Sequence, residues 1–414
     1  MPVPTVDSRA GKTVLASFAL PLLLGLLAVS GSVLAADKQR HKSADAASGS
    51  VSIKASTEVS GYSDTDHVLV LSPSIAASIS DVLAGWSISG HYLVDVVSAA
   101  SVDIVSTASS HWLEYRTAGA AQGSYKVGDV TMGASGVFSS EPDYLSFAAG
   151  GTLSVDVLDK NVTPFVGFSY GRDRVGRTGL PDAFWRDKQT ISGQVGATFV
   201  VDPATISSLQ AEVIQETGYL AKPYRYVPLF APAQAGFIHP GASIAEVNRL
   251  RLDLRPTEQV PDSRHRFAIT SRLGHRYTGS TLRLDERVYA DTWGMMASTT
   301  DFRFTFDLGR RLMVWPRARF HVQNQVAFWQ QAYVAIPDAS GALGIPSIRT
   351  GDRELSALYT GTGGGGMQLK LIDDIDKPWS LLFEVDGSYT RYLNDLYMTE
   401  RGAVFSTIAV EAEF

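Results

Sequence analysis

The last eleven residues, Val404 to Phe414, alternate between two kinds of side chain. Val404, Ser406, Ile408, Val410, Ala412 and Phe414 share one parity, and Thr407, Glu411 and Glu413 share the other. A two-residue period belongs to a β-strand, whose successive side chains point to opposite faces. Similar segments recur from residue 50 onward, centred on Ile53, Leu71, Ile88, Tyr115, Met132, Leu153, Val166, Val195, Ala211, Ile269, Leu284, Phe304, Val322, Met367, Val385 and Ile408. They number about sixteen and approach the ~10-residue strand repeat of membrane barrels. Fourteen or eighteen strands fit the same pattern. An even count returns the chain to its starting side, as antiparallel closure with both termini at one end requires. The pattern predicts an all-β, transmembrane, antiparallel up-and-down barrel over residues 50–414.

The connections between these segments sort into two classes. Val94–Ser109, Arg172–Lys188, Tyr219–Arg264, Tyr289–Thr300, Tyr333–Glu354 and Leu393–Glu400 follow odd-numbered segments and are mostly long. Lys126–Asp129, Leu158–Asn161, Asp202–Ala204, Thr278–Ser280 and Asp373–Pro378 follow even-numbered ones and are short. Long extracellular loops and short periplasmic turns are the barrel pattern. A soluble, secreted all-β protein is the competing reading, and it has no reason to show this asymmetry.

Faces are clearest in the second half. Leu282, Leu284 and Val288 alternate with Arg283, Asp285 and Arg287; Phe302, Phe304, Phe306 and Leu308 alternate with Asp301, Arg303, Thr305 and Asp307. Ala318, Phe320, Val322, Val326 and Phe328 alternate with Arg317, Arg319, His321, Gln323 and Gln325. An Arg or Lys facing lipid at mid-membrane costs about 2–4 kcal/mol, so the polar sets are expected to face the lumen. Trp315, Trp379 and Tyr277 near the turns, with Tyr289, Trp329 and Tyr333 near the long loops, are expected to form two interfacial aromatic belts.

Composition narrows the compartment. Arg9 and Lys12 precede an apolar run from Val14 to Val29, and Gly31–Ala36 is a small-residue stretch suited to cleavage. Residues 1–36 therefore read as a signal peptide and residues 37–49 as a polar periplasmic tail. The apolar run falls short of the ~20 residues a membrane helix prefers. Mean hydropathy is near neutral at +0.02 with 45% hydrophobic residues, spread thinly rather than concentrated. The net charge of −6 argues against general nucleic-acid binding. Cysteine is absent, so disulfides, haem attachment and thiolate metal sites are ruled out. The expected location is the outer membrane of a Gram-negative cell, among its lipids. The expected assembly partner is the barrel-insertion machinery, acting through the strand that ends in Phe414; a periplasmic partner is left open.

Several blocks resemble one family of bacterial outer-membrane barrels, that of domain of unknown function 3570. They are Tyr92–Ser98 with Val102–Ser109, Ser139–Tyr144, Lys222–Phe230, Thr350–Leu355 and Asn394–Tyr397. The resemblance implies a barrel in the outer membrane with no established activity, and it supplies no catalytic residue.

Candidate chemistry lies in the lumen and the longest loop. Arg266, Arg272, Arg283, Arg287, Arg303, Arg317 and Arg319 share the inward parity with Asp285, Asp301 and Asp307, leaving a local excess of positive charge. Glu212 and Glu216 flank this wall on one side, and Glu384, Asp386, Glu411 and Glu413 on the other, suggesting the transverse charge separation of general porins. A basic wall favours anions in a confined pore. Salt-bridge ladders filling a closed lumen are the alternative.

In the loop Tyr219–Arg264, Ser243 and Glu246 have capping-box spacing, which predicts a short helix with Val247 and Leu250 on one side, ended by Pro256. A loop this long is rarely passive. It is expected either to fold into the barrel mouth or to pack only on itself. Tyr224, Arg225, Tyr226, Arg249 and Arg251 are its candidate ligand-binding residues. No metal site or cofactor is expected: Asp64 and Asp66, with Asp395 far away, give calcium too few convergent oxygens. Gly363–Gly366 lacks the Gly-Lys-Ser/Thr ending of a phosphate loop and reads as a bend or close packing in a strand. No Gly-x-Ser-x-Gly elbow is present, and no enzymatic activity is expected. The function expected is a porin-like passive channel with weak anion preference. The alternative is a non-conducting sleeve, receptor or adhesin.

Overall fold

The computed structural model describes residues 51–97, 114–177, 184–337, 339, 341, 343–374 and 377–414. Within it, sixteen strands form one closed barrel. They are β1 (Val51–Asp64), β2 (Leu69–Asp81), β3 (Trp86–Val97), β4 (Glu114–Val127), β5 (Val130–Glu141), β6 (Tyr144–Val155), β7 (Val162–Val175) and β8 (Arg186–Asp202). The second half comprises β9 (Thr205–Gly218), β10 (Ser263–Tyr277), β11 (Ser280–Asp291), β12 (Met296–Leu308), β13 (Leu312–Gln323), β14 (Leu358–Ile372), β15 (Trp379–Tyr392) and β16 (Glu400–Glu413). Each segment centre read from the alternation falls inside its own strand. Neighbours are antiparallel throughout, and β1 closes the ring on β16 in the register Lys54↔Glu413 to Asp64↔Ala403. The Phe414 amide donates to the Ile53 carbonyl at 2.8 Å, so pairing continues to the last residue. Residues 1–50, with the expected leader and tail, and Val102–Ser109 lie outside the described residues.

Why the ring closes in this register is visible on its outer surface. Ile75, Ile88, Phe147, Val166, Phe168, Val195, Ile269, Val288 and Phe320 are exposed apolar side chains on one parity. A slip of one residue would turn every one of them into the lumen. Tyr125, Tyr277, Trp379 and Phe414 ring the end that carries the short turns, while Tyr92, Tyr115, Phe147, Tyr170, Tyr359 and Tyr389 ring the other. Trp379 packs edge-on against Phe414 at 6.2 Å between centroids. These are the girdles of a membrane barrel, and only Tyr277 and Trp379 were among the residues expected there.

The other four are corrected by their parity or burial. Trp315 pairs with Gly366 on the lumen side, 5% exposed, beneath the Arg303 guanidinium at 5.6 Å. Tyr289 also points inward and donates to Asp291. Trp329 and Tyr333 are buried among the outer loops. The tryptophan and tyrosine types suit an interface, but facing decides whether they reach one.

The short turns and both barrel termini share one end, and the long connections share the other, which is the outer end of such a barrel. One expected long loop is short. Strands β11 and β12 run on to Asp291 and back from Met296, leaving Thr292–Met295. Asp291 accepts the amides of Trp293 and Met295, and Gly294 takes a positive φ of 85°, so a tight turn forms where a loop was expected. Among the described residues no helix is long and apolar enough to cross a membrane.

Candidate functional site

The lumen has two unlike walls. On β1 to β8 the inward parity carries mostly small neutral side chains, among them Ser60, Ser87, Ser124, Ser169, Ser192 and Thr198. Hydroxyl pairs link neighbouring strands there, Ser87 with Ser124 at 2.8 Å and Ser169 with Ser192 at 2.6 Å. From β9 to β15 the same parity carries the charges.

The cross-strand register puts Arg266, Arg272, Arg283, Arg287, Arg303, Arg317 and Arg319 on that wall with Asp285, Asp301, Asp307, Glu384 and Asp386. Arg266 meets Glu216, and Arg287 crosses β10 to reach Glu212 at 2.7 Å. Arg283 meets Asp285 at 2.7 Å, with Arg272 at 3.9 Å from the same carboxylate. Arg317 is the hub, 2.7 Å from Asp301, 3.0 Å from Asp386 and 3.5 Å from Glu384. Arg303 approaches Glu384 at 3.7 Å and Arg319 approaches Asp301 at 3.9 Å, while Asp307 pairs with Arg276 at 2.5 Å.

Two expectations change on this geometry. The acidic side chains of β9 and β15 do not stand opposite the arginines across the lumen; they pair with them along one wall. The positive excess is correspondingly smaller than the arginines alone suggest. What survives is a difference in depth. Arg283 is 52% exposed against 21% for Asp285, Arg287 is 40% against 18% for Glu212, and Arg319 is 40% against 23% for Asp301. These three arginines project further into the lumen than their carboxylate partners, whereas the hub Arg317, 22% exposed against 23% for Asp301, lies level with its partner.

Gly363–Gly366 makes the hub possible. Gly364 of β14 is registered between Arg317 and Asp386, and Gly366 between Trp315 and Glu384. A Cβ on Gly364 would run into the Asp386 side chain and the Val385 carbonyl, and one on Gly366 would lie 2.5 Å from the Trp315 ring. With no side chains in the way on β14, Arg317 of β13 and Arg303 of β12 reach across it to the carboxylates of β15. Glycine here is close packing, as its place in a strand suggested.

Above this wall, the two longest connections fold together. Leu229–Phe230 pairs in parallel with Tyr333–Val334. Val227, Leu229, Tyr333 and Ala335 form one apolar cluster, and Phe230, Ile238, Ala242, Val247 and Leu396 form another. A third joins Ala221 and Val260 to Trp293, Met295, Val326 and Trp329. The dry core of this protein lies in these loops, because the barrel wall puts its apolar side chains outside.

The helix Ile244–Leu250 begins at Ser243, whose hydroxyl accepts the Glu246 amide at 3.2 Å. Val247 is buried and Leu250 packs beside the same cluster. The helix stops at Leu250, well before Pro256, because Arg251 already takes an extended conformation.

Contacts run from this assembly to connections around the ring. Arg353 reaches Asp66 in the β1–β2 connection at 2.6 Å, and Tyr224 donates to Asp143 between β5 and β6. Arg177, after β7, donates to the Pro223 carbonyl and the Tyr226 hydroxyl. The Ala327 amide bonds the Trp293 carbonyl, Asn394 bonds Gln325 and the Gly241 amide bonds the Asp395 carbonyl. One loop assembly can touch such widely spaced points of a ring only by lying over its opening. It is a cap rather than a loop packed only on itself.

The buried polar centre of the cap is Arg225, 1% exposed, at 2.8 Å from Asp352 and 3.4 Å from Glu258. Glu258 also accepts the Thr350 hydroxyl and the Lys222 amide. Burial pushes the Glu258 carboxyl up while Arg225 pulls it down, and burial pushes the Lys222 amine down. Of the loop residues singled out for binding, Tyr224 and Arg225 are therefore enclosed by the cap, and Tyr226 stacks with Arg177 at 5.3 Å. Arg251 is held by Asn248 and the Leu252 carbonyl, and Arg249 is exposed on the helix. Asp64 accepts the amides of Asp66 and Val68 in a turn, and Asp66 serves Arg353. Arg225 and the segment Thr350–Leu355 stood out in the sequence, but their convergence with Glu258 in one buried set could not be read there, because the members come from distant segments with no shared motif.

No curated protein sequence matches this chain. Among solved structures, it is similar to a bacterial polysaccharide outer membrane secretin (8% identity, TM-score 0.43, covering 88% of this chain and 98% of that one). It is also similar to the outer membrane protein opdK from Pseudomonas aeruginosa (5% identity, TM-score 0.40, covering 88% and 99%). A third is the siderophore receptor PirA from Pseudomonas aeruginosa (8% identity, TM-score 0.39), where the overlap covers 87% of this chain and 62% of the receptor. A family model matches residues 106–391, a span that holds the quoted blocks from Ser139 to Leu355 and leaves out Tyr92–Ser98 and Asn394–Tyr397. The chain belongs to that family, the proteins of unknown function DUF3570.

Proposed function

We propose that this barrel is a passive, porin-like channel of the outer membrane with a weak preference for small anions. The observation that supports this most is a depth difference on the charged wall: the lumen-facing side chains of Arg283, Arg287 and Arg319 are 52%, 40% and 40% exposed, while their carboxylate partners Asp285, Glu212 and Asp301 are 21%, 18% and 23% exposed. Exposed inward side chains mean water in the lumen at that level, and a ring of about sixteen strands is wide enough to leave an aqueous path. An anion moving along it meets arginine first. The cap then sets the resting conductance, because it lies between the lumen and the outside.

The cap supports a second reading, a binding or assembly barrel that does not conduct. Its core is dry and it is fastened at several points of the rim. Planar-bilayer recording of the purified protein tests both readings. A channel gives discrete steps, and Arg303→Glu with Arg319→Glu shifts the reversal potential under a salt gradient toward cations. Silence in the intact protein and also in a variant lacking 225–258 would sink the channel and leave the binding barrel.

A further inference from the structure

Three carboxylates converge beneath the rim of the cap. Glu114 opens β4, Glu141 ends β5, and Asp143 lies in the turn that follows. One oxygen from each lies within 4.8 Å of the other two. Calcium binds oxygen at about 2.4 Å, so two of its ligands stand at most about 4.8 Å apart, a limit that all three pairs of oxygens meet.

A cluster of acids does not by itself make a site, and the condition of Glu114 is the independent observation. Glu114 is 3% exposed, and neither of its carboxylate oxygens has a hydrogen-bond partner. Its neighbours are served. Asp143 accepts the Tyr224 hydroxyl. Glu141 faces Arg116 at 3.6 Å, and Arg116 also holds Ser139 and Asp95. Lys222 adds some positive field at Glu141, but no side chain donates to Glu114. An enclosed carboxylate with no donor, pressed against two more acids, is costly. A divalent cation removes the missing contact and the repulsion together.

We propose that Glu114, Glu141 and Asp143 hold a divalent cation of the calcium class at the outer end of the barrel wall. The donors are all oxygen, which suits hard cations and gives zinc or copper none of the nitrogen or sulfur they favour. Calcium accepts irregular sets of six to eight oxygens, with water completing them, whereas magnesium demands near-ideal octahedral geometry. Through the Tyr224–Asp143 hydrogen bond the ion also fastens the cap to the barrel. Glu141 and Asp143 are close in sequence, but Glu114 joins them only through the β4–β5 pairing. No spacing motif announces the site, which is why no metal was expected from the sequence.

The test is calcium titration of the full barrel refolded in detergent, by calorimetry and by terbium luminescence sensitised by nearby tyrosines. One saturable site is expected, in the range of about 0.1–1 mM typical of extracellular calcium modules. Glu114→Gln is expected to weaken binding at least about tenfold, since even outer-shell changes cost about 10–100-fold in metal affinity. Tyr224→Phe leaves all three carboxylates in place and is expected to keep the site while loosening the cap, read as faster protease cutting between Ala235 and Gly241. If Glu114→Gln fails to fold, Glu141→Gln carries the same comparison. Absence of saturable calcium and terbium binding by the unaltered barrel overturns the proposal. So does a folded Glu114→Gln that binds as tightly. Either result leaves the channel reading untouched, because it does not depend on this ion.

Discussion

Arg225 is the side chain on which the cap turns. It is buried between Glu258 and Asp352, so Arg225→Ala leaves two enclosed carboxylates without their cation. Breaking a buried pair this way costs about 3–5 kcal/mol. The loss falls on the cap, whereas the barrel pairs through its own ladder. The expected outcome is a cap cut readily by protease at Ala235–Gly241 while the folded barrel band persists on a gel. A barrel lost together with the cap would contradict this separation. Sequence shows an Arg between two tyrosines and invites a ligand, but the fold spends that guanidinium on holding two loops together. The same limit applies to Trp315, whose type suits a membrane belt and whose parity puts it under Arg303.

Among the elements, strand β14 is the most exacting. Gly364 and Gly366 leave room for Arg317 to reach Asp386 and for Trp315 to lie flat against the wall. Gly366→Ala places a methyl group against the Trp315 ring and the Phe383 carbonyl, and overpacking of this kind costs about 1–3 kcal/mol. It should lower the temperature at which the heat-modifiable band shifts, while Gly363→Ala, with nothing within 4 Å on the outer face, should leave it unchanged. The helix Ile244–Leu250 makes a smaller claim. Removing its cap with Ser243→Ala costs about 1 kcal/mol, enough to raise hydrogen exchange at the Glu246 amide without opening the cap. Capping-box spacing was legible because both partners sit within one turn; the early stop at Leu250 was not, because it depends on where Arg251 is pulled.

At the scale of the whole molecule, closure is the property to test. The Phe414 amide completes the β16–β1 pairing and its ring packs on Trp379. Deleting Phe414 should therefore reduce the fraction of protein that runs as a folded, heat-modifiable band. Orientation has its own measurement. A protease site between Ala235 and Gly241 should be cut on intact cells, and one at Lys160 only after the outer membrane is opened. Cutting at both sites, or at neither, would contradict the assignment of ends.

A count of about sixteen strands, their outward and inward faces and the two unlike ends of the barrel could be read from the chain alone. They rest on a period of two and on loop length, both local in sequence, and the lipid enforces them by penalising every misplaced charge. The inward parity of the arginines followed for the same reason. Their partners did not, since Arg287 meets Glu212 across a strand and Arg317 meets Asp386 over a glycine that sequence shows only as a gap. The cap and the Glu114–Glu141–Asp143 cluster were likewise decided by tertiary structure. Their residues come from segments far apart in the chain, and no periodic constraint ties one loop to another until the ring has closed and brought them over the same opening.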